Sequence, residues 1–165
     1  MSLKCDILAE NPSEMPLKPS QINTFLFFKL PSAFLCGVRL RSISEVSCTT
    51  TVRHRWINQN PFRSMFWAVQ GMAAELSTGA LVMSYIKESG APVSMLVANN
   101  KASFLKKARG RISFTCTDGQ KIRAAIDETL ANGEGVTCWM HAEGVDAQGD
   151  VVSRFDFEWT VKRKG

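Results

Sequence analysis

Histidine and tyrosine are scarce in this chain of 165 residues, which has two of the first and one of the second. Neither His54 nor His141 has a cysteine or carboxylate at metal-ligand spacing, so no metal site is expected and both are assigned to strand surfaces. No phosphate loop, dinucleotide-binding glycine motif or nucleophilic serine elbow occurs, which removes the common nucleotide-dependent and serine-hydrolase chemistries. No bound cofactor is expected. The five cysteines (Cys5, Cys36, Cys48, Cys116, Cys138) are odd in number, widely spaced and never CxxC. That excludes a disulfide framework and suits reduced thiols in a cytoplasm. Long uninterrupted apolar runs are missing too. Residues 22–38 are broken by Lys29 and Pro31, and residues 64–86 carry Glu75 and Gln70. A central carboxylate costs about 2.5–3.5 kcal/mol on insertion scales, so no membrane span is expected. Residues 1–20 mix charges with three prolines and lack the apolar core of a secretion signal.

What is present is a globular balance. Apolar residues make up 45% and charged residues 21%, enough for one core and too apolar for disorder. The expected organisation is a loosely ordered lead-in over residues 1–19 and one domain over residues 20–165. The net charge of +5 permits an anionic ligand without naming it. Among the bases between Lys101 and Arg111 only Phe104 is aromatic, so no nucleic-acid surface is expected.

Periodicity predicts the elements. Ser20 can cap a short helix that runs to Leu30 and stops at Pro31, with Phe25, Phe28 and Phe34 as docking residues. Residues 38–43 alternate and residues 48–57 are rich in Thr and Val, so both read as strands. Ser64 can cap a helix running to about Lys87. It is apolar or small on nearly every side and therefore buried, and Gly90 and Pro92 end it. Strands follow over residues 93–104 and 111–117. Asp118 then opens an amphipathic helix with a buried stripe of Ile122, Ala125, Ile126 and Leu130, closed by Asn132 and Gly133. Val136, Cys138, Met140 and Ala142, and then Phe155, Phe157, Trp159 and Val161, alternate with polar residues and form a hairpin.

Glu75 is the only charged side chain between Arg63 and Lys87, midway along the greasy helix. A carboxylate there is paired, protonated or functional. It is the candidate catalytic residue, and a hydrogen-bonded glutamate at a dimer interface is the bland alternative. Asn58 and Asn60 are candidate substrate-orienting residues or turn residues before Pro61. Lys101, Lys106, Lys107 and Arg109 are either a phosphate-binding cluster or a solvated hairpin turn.

The segment from Asn58 through Met65-Phe66-Trp67-Ala68 to Glu75 resembles the signature of hotdog-fold acyl-CoA thioesterases of the phenylacetyl-CoA thioesterase type. It is closer still to a mostly uncharacterised hotdog domain family. The segment Asn100-Lys-Ala-Ser-Phe-Leu-Lys-Lys-Ala-Arg-Gly110 is similar to a strand and turn of the same proteins. The resemblance covers residues 28–164. It implies an α+β hotdog fold, an antiparallel sheet wrapped around a long central helix, with an N-terminal helix and an additional amphipathic helix. It implies a homodimer, with a tetramer as the alternative, and an acyl thioester ligand such as acyl-CoA. Glu75 would act as base or nucleophile, and Asn58, Asn60, Trp67, Ala68 and Gly71 would contact substrate. Lys101, Lys106, Lys107 and Arg109 would meet the coenzyme A phosphates. Where the families have a histidine and glycines, this chain has Met65 to Ala68, with Ala68 at the second glycine and Glu75 at i+7. A non-catalytic acyl-CoA binder and a structural or regulatory dimer are the rival readings.

Overall fold

A helix that is apolar on nearly every side must be enclosed, and here a sheet encloses it. The computed structural model describes residues 15–165. Residues 1–14 of the expected lead-in lie outside the described residues. The chain runs through α1 (Pro19–Lys29), α2 (Pro31–Leu35), β1 (Arg39–Ile43) and β2 (Cys48–Arg53) to the central helix α3 (Trp67–Ser89). It continues through β3 (Val93–Phe104), β4 (Arg111–Cys116), α4 (Gly119–Asn132), β5 (Val136–Val145) and β6 (Val151–Arg163). The strands form one antiparallel sheet in the order β1-β2-β4-β5-β6-β3. This is the wrapped-helix arrangement that the sequence predicts.

The sheet's inner face comes from strand alternation. Leu40, Val52, Ile112, Phe114, Met140, Phe155, Phe157, Trp159 and Val161 are all buried. They meet α3 through Val69, Ala73, Ala74, Ala80, Leu81 and Val82, also buried. At about 25 cal/mol per Å² of apolar surface removed from water, this shared core is the main favourable contribution to folding. α3 stops where expected: Gly90 takes the left-handed conformation at φ 63°, and its N–H bonds to Lys87 O. α4 buries Ile122, Ala125 and Ile126, with Leu130 at its edge.

Several local expectations are corrected. α1 docks through Ile22 and Leu26, an i, i+4 pair, whereas Phe25 and Phe28 are exposed. Pro31 does not merely stop α1; it occupies the first position of the five-residue α2, where its missing N–H costs nothing. β2 ends at Arg53, because Asn58 draws the chain into a 3₁₀ turn over Trp56–Asn58. α3 begins at Trp67 and not at Ser64. Ser64 is buried with its hydroxyl on Asn60 Oδ1, and residues 65 and 66 are held extended by Met65 N to Ala108 O and Phe66 N to Asn58 O. The carboxylate of Asp118 leaves α4 uncapped by its side chain; it accepts from His141 N and pairs with Lys121.

Candidate functional site

Sheet and helices leave one stripe of α3 uncovered. Ala68, Met72, Glu75 and Met83 recur at i, i+4, i+7 and i+15, one face of a 3.6-residue helix, while Gly79 at i+11 is buried under the Trp159 ring. Sequence reasoning expects Glu75 to be buried with the rest of the helix. It is instead exposed in the single chain, because the stripe falls between the walls that α1 and β3 supply.

Those walls make an apolar groove of about 580 Å³, within the usual range for small-molecule pockets. Phe25, Leu26 and Leu30 form one side, Met95, Leu96 and Val97 the other, and Met72, Leu76, Met83 and Trp159 the floor. Among the described residues Glu75 is the only ionisable one lining it. Although water reaches the carboxylate, the surrounding apolar protein desolvates it and raises its pKa above the ordinary carboxylate value. The floor is pinned by a short relay. Trp159 Nε1 donates to Thr78 Oγ1 at 2.9 Å, and Thr78 Oγ1 donates to the Glu75 carbonyl at 2.9 Å. The indole lies against Gly79, where an added Cβ would stand 3.1 Å from the ring.

A second cavity, of about 500 Å³, sits at the start of α3. Asn60, Met65, Trp67, Gln70, Phe104, Lys106 and Lys107 are among its walls. The N–H groups of Trp67 and Ala68 lie in the first helical turn and donate to no group among the described residues. With the positive end of the helix dipole, they form a place where negative charge is favoured. Gln70 was not singled out by sequence. It is buried, donates to Met65 O at 3.3 Å and accepts from Ser153 Oγ at 2.8 Å, so it braces the floor of this cavity. No sequence signal marks it, because its partner lies 83 residues away.

The remaining candidates divide. Asn60 Oδ1 accepts from Phe62 N, Ser64 N and Ser64 Oγ, and its Nδ2 donates to no group among the described residues on the cavity wall. Asn58 is buried, with Oδ1 on Arg55 N and Nδ2 on Cys36 O and Arg53 O, so its side chain organises the turn. Gly71 is half-buried beside Phe155 and lines neither cavity. Lys106 is clamped between Asp146 and Asp150 at 2.7 Å each, which raises its pKa. Lys107 stands on the cavity rim, and Arg109 donates to Arg63 O at 3.2 Å. Lys101 is farther along β3, its Nζ 4.7 Å from the centre of the Trp139 ring. So Asn60, Trp67, Lys106 and Lys107 come together around one cavity, while Glu75 lines the other. Ala68 and Glu75 are seven residues apart, about 10 Å along one helix at 1.5 Å per residue.

Among the described residues no group of histidine, cysteine and carboxylates could hold a metal ion, and no helix is long and apolar enough to cross a membrane.

Solved structures carry the same fold. A Pseudomonas aeruginosa protein of unknown function, PA5026, described as a probable thioesterase, superposes with a TM-score of 0.76 at 22% identity, over 91% of this chain and 99% of that one. OLEI01261 of Chlorobaculum tepidum, of unknown function, gives 0.75 at 16% identity, over 92% and 100%. The Haemophilus influenzae thioesterase HI1161 gives 0.69 at 11% identity, over 89% and 92%. No curated protein matches the sequence. The fold is the hotdog fold. Since the sequence model described as a domain of unknown function (DUF4442) matches residues 20–161, nearly the whole domain, the chain belongs to that family.

Proposed function

We propose that this protein is an acyl-CoA thioesterase-like hydrolase whose site is completed by a second copy of the chain. The observation that carries the reading is the uncovered stripe of α3. It holds one carboxylate of raised pKa in an apolar groove, with open helix-start amides seven residues earlier. One chain keeps these parts about 10 Å apart, too far to act on one carbonyl. A two-fold axis passing beside Gly71 and Met72 would set Glu75 of each copy opposite Ala68 of the other. Nothing among the described residues forces glycine at 71, since an added Cβ would meet only the Phe155 ring there, at an ordinary 3.6 Å. A close helix–helix approach explains it better. β3 is a twelve-residue edge strand paired only to β6, with Leu96 exposed, and such an edge invites pairing.

In this reading the acyl chain lies in the groove among Phe25, Leu30, Met83 and Leu96. The thioester carbonyl accepts hydrogen bonds from the Trp67 and Ala68 amides, which stabilise the developing oxyanion. Glu75 takes a proton from water as the water oxygen bonds to the carbonyl carbon. The intermediate collapses with loss of the C–S bond, and the proton passes from Glu75 to the leaving thiolate, giving a carboxylic acid and a thiol. A carboxylate of raised pKa is the better base for this step. Asn60 Nδ2 and the Trp67 ring would position the substrate, with Asn58 and Gly71 shaping the turn and the helix contact. Lys107 and Arg109, with Lys101 and Lys106, would meet the coenzyme A phosphates. Buried, unpaired Cys48 and Cys116, register partners across β2 and β4, fit a reducing cytoplasm.

The test is Glu75→Gln, assayed on short, medium and long acyl-CoA substrates. Loss of a general base costs about 10²–10⁴-fold in rate with folding unchanged. If the wild type hydrolyses none of them, the enzyme reading falls. A binder without hydrolysis is favoured by one feature, the bulk of Trp67 on the wall of the helix-start cavity. Retained acyl-CoA affinity without turnover would select it.

A further inference from the structure

The outer face of the sheet is divided electrostatically. On the β5–β6 half, Arg154 pairs with Glu143 at 2.9 Å, and Asp156 has a hydrogen-bond partner in His141 Nδ1 at 2.8 Å. The β1–β2–β4 half is different. Arg39 and Arg41 project outward from β1, Arg53 from the end of β2, Arg111 from the start of β4, and Arg55 follows β2. These five side chains line one cleft of about 380 Å³ with Asn23, Gly37, Thr51 and Val52. No ion pair to any of them occurs among the described residues. Arg53 and Arg111 are direct register partners, a juxtaposition of like charge that by itself destabilises a sheet.

The cluster is organised as well as concentrated. Arg39 lies 3.6 Å over the Phe34 ring and donates through Nη1 to Phe34 O at 2.8 Å and Val38 O at 2.7 Å. Arg41 Nε donates to Thr51 Oγ1 at 2.9 Å. Asn23 bonds to both N and O of Leu40 and so fixes α1 at the cleft's edge. The guanidinium groups of Arg53, Arg55 and Arg111 donate to no protein group among the described residues. Burial, followed by the Arg55 and Arg41 charges, lowers the Arg39 pKa from its ordinary value.

We propose that this five-arginine cleft is a binding site for a ligand carrying two or more phosphate groups. A single carboxylate would leave most of the positive charge unmatched, whereas a diphosphate brings several negative charges and oxygens suited to planar guanidinium forks. The cleft shares no lining residue with the acyl groove or the helix-start cavity. It does not depend on the thioester reading. The phosphates could belong to a free small molecule or to a lipid headgroup. The second source is raised by the exposed Phe27 and Phe28: Phe27 meets Phe28 edge-on and also meets Phe34, the ring beneath Arg39.

The experiment is calorimetric titration of the full chain with inorganic pyrophosphate, alongside co-sedimentation with phosphatidylcholine vesicles with and without phosphatidylinositol bisphosphate. The variant is Arg53→Gln with Arg111→Gln, two side chains that hold no part of the fold. Its melting temperature should match or exceed that of the wild type. Pyrophosphate should bind the wild type and lose about tenfold or more in affinity to the double variant. The control Lys162→Gln with Lys164→Gln, two exposed side chains that line neither cleft nor cavity, should leave pyrophosphate affinity unchanged. Binding only to vesicles containing phosphatidylinositol bisphosphate, lost in the arginine variant, would support the site and assign its phosphates to lipid. Failure of both probes to bind the wild type, or equal binding by the arginine variant, would overturn the proposal.

Discussion

Replacing Thr78 by valine isolates the relay beneath the acyl groove. Thr78 is fully buried, and its hydroxyl is the acceptor for Trp159 Nε1, whose ring is itself 4% exposed. Valine keeps nearly the same volume and a similar helix propensity, so neither a cavity nor a backbone cost complicates the change. The Glu75 carbonyl, which loses the Thr78 hydroxyl, retains its helical N–H partner. What remains is a buried indole N–H without an acceptor. Such an orphan costs about 1–3 kcal/mol, and about 2 kcal/mol corresponds to a fall of about 4–8 °C in Tm for a chain of this length. Guanidinium titrations followed by far-UV circular dichroism, at one fixed protein concentration, give the stability change. Near-UV dichroism reports whether the indole has moved. The matching experiment is Thr78→Val in a Trp159→Phe background. With no N–H to satisfy, the substitution there should cost no more than about 0.5 kcal/mol. Equal costs in the two backgrounds, or no cost in either, would refute the relay.

Glu75→Gln should raise thermal stability at neutral pH, since desolvation opposes the charged carboxylate in the folded chain. The sign follows from linkage: with a raised folded-state pKa, the contribution of Glu75 to stability is fully present in acid and is lost as pH rises through that pKa. The advantage of the glutamine variant should therefore vanish in acid and grow toward neutrality; a constant difference in Tm across pH would contradict it. Asn58→Ala should destabilise by about 3 kcal/mol or more, because Arg55 N, Cys36 O and Arg53 O all lose their partner. Denaturant unfolding checks this, and a change under 1 kcal/mol would show the turn to be held otherwise. Leu96→Lys, placing a charge on the exposed edge strand, should shift sedimentation from dimer toward monomer. A wild type that sediments as a monomer would remove the composite site.

Where local pattern and tertiary demand agree, the sequence was enough. The alternation of β5 and β6, the stripe of α4 and the apolar run of α3 each bury one face in a regular element, so periodicity names both the element and its inner face. Glu75 was legible for a related reason: one charge in a long uncharged run has to be accounted for. Asn60, Trp67, Lys106 and Lys107 were also singled out, but only the fold gathers them round the start of α3. Boundaries set by distant partners were not legible. Ser64 has a helix-capping side chain, yet the pull of Ala108 and Asn58 on residues 65 and 66 delays α3 to Trp67. Phe25 and Phe28 have docking side chains, yet α1 turns Ile22 and Leu26 inward. The five arginines are scattered between residues 39 and 111, and only the pairing of β1, β2 and β4 makes them one cleft. Sequence alone determined which faces must leave water, because hydrophobic burial depends on composition and spacing. The tertiary structure decided which charges meet and which helical stripe stays open, because those depend on residues brought together from far along the chain.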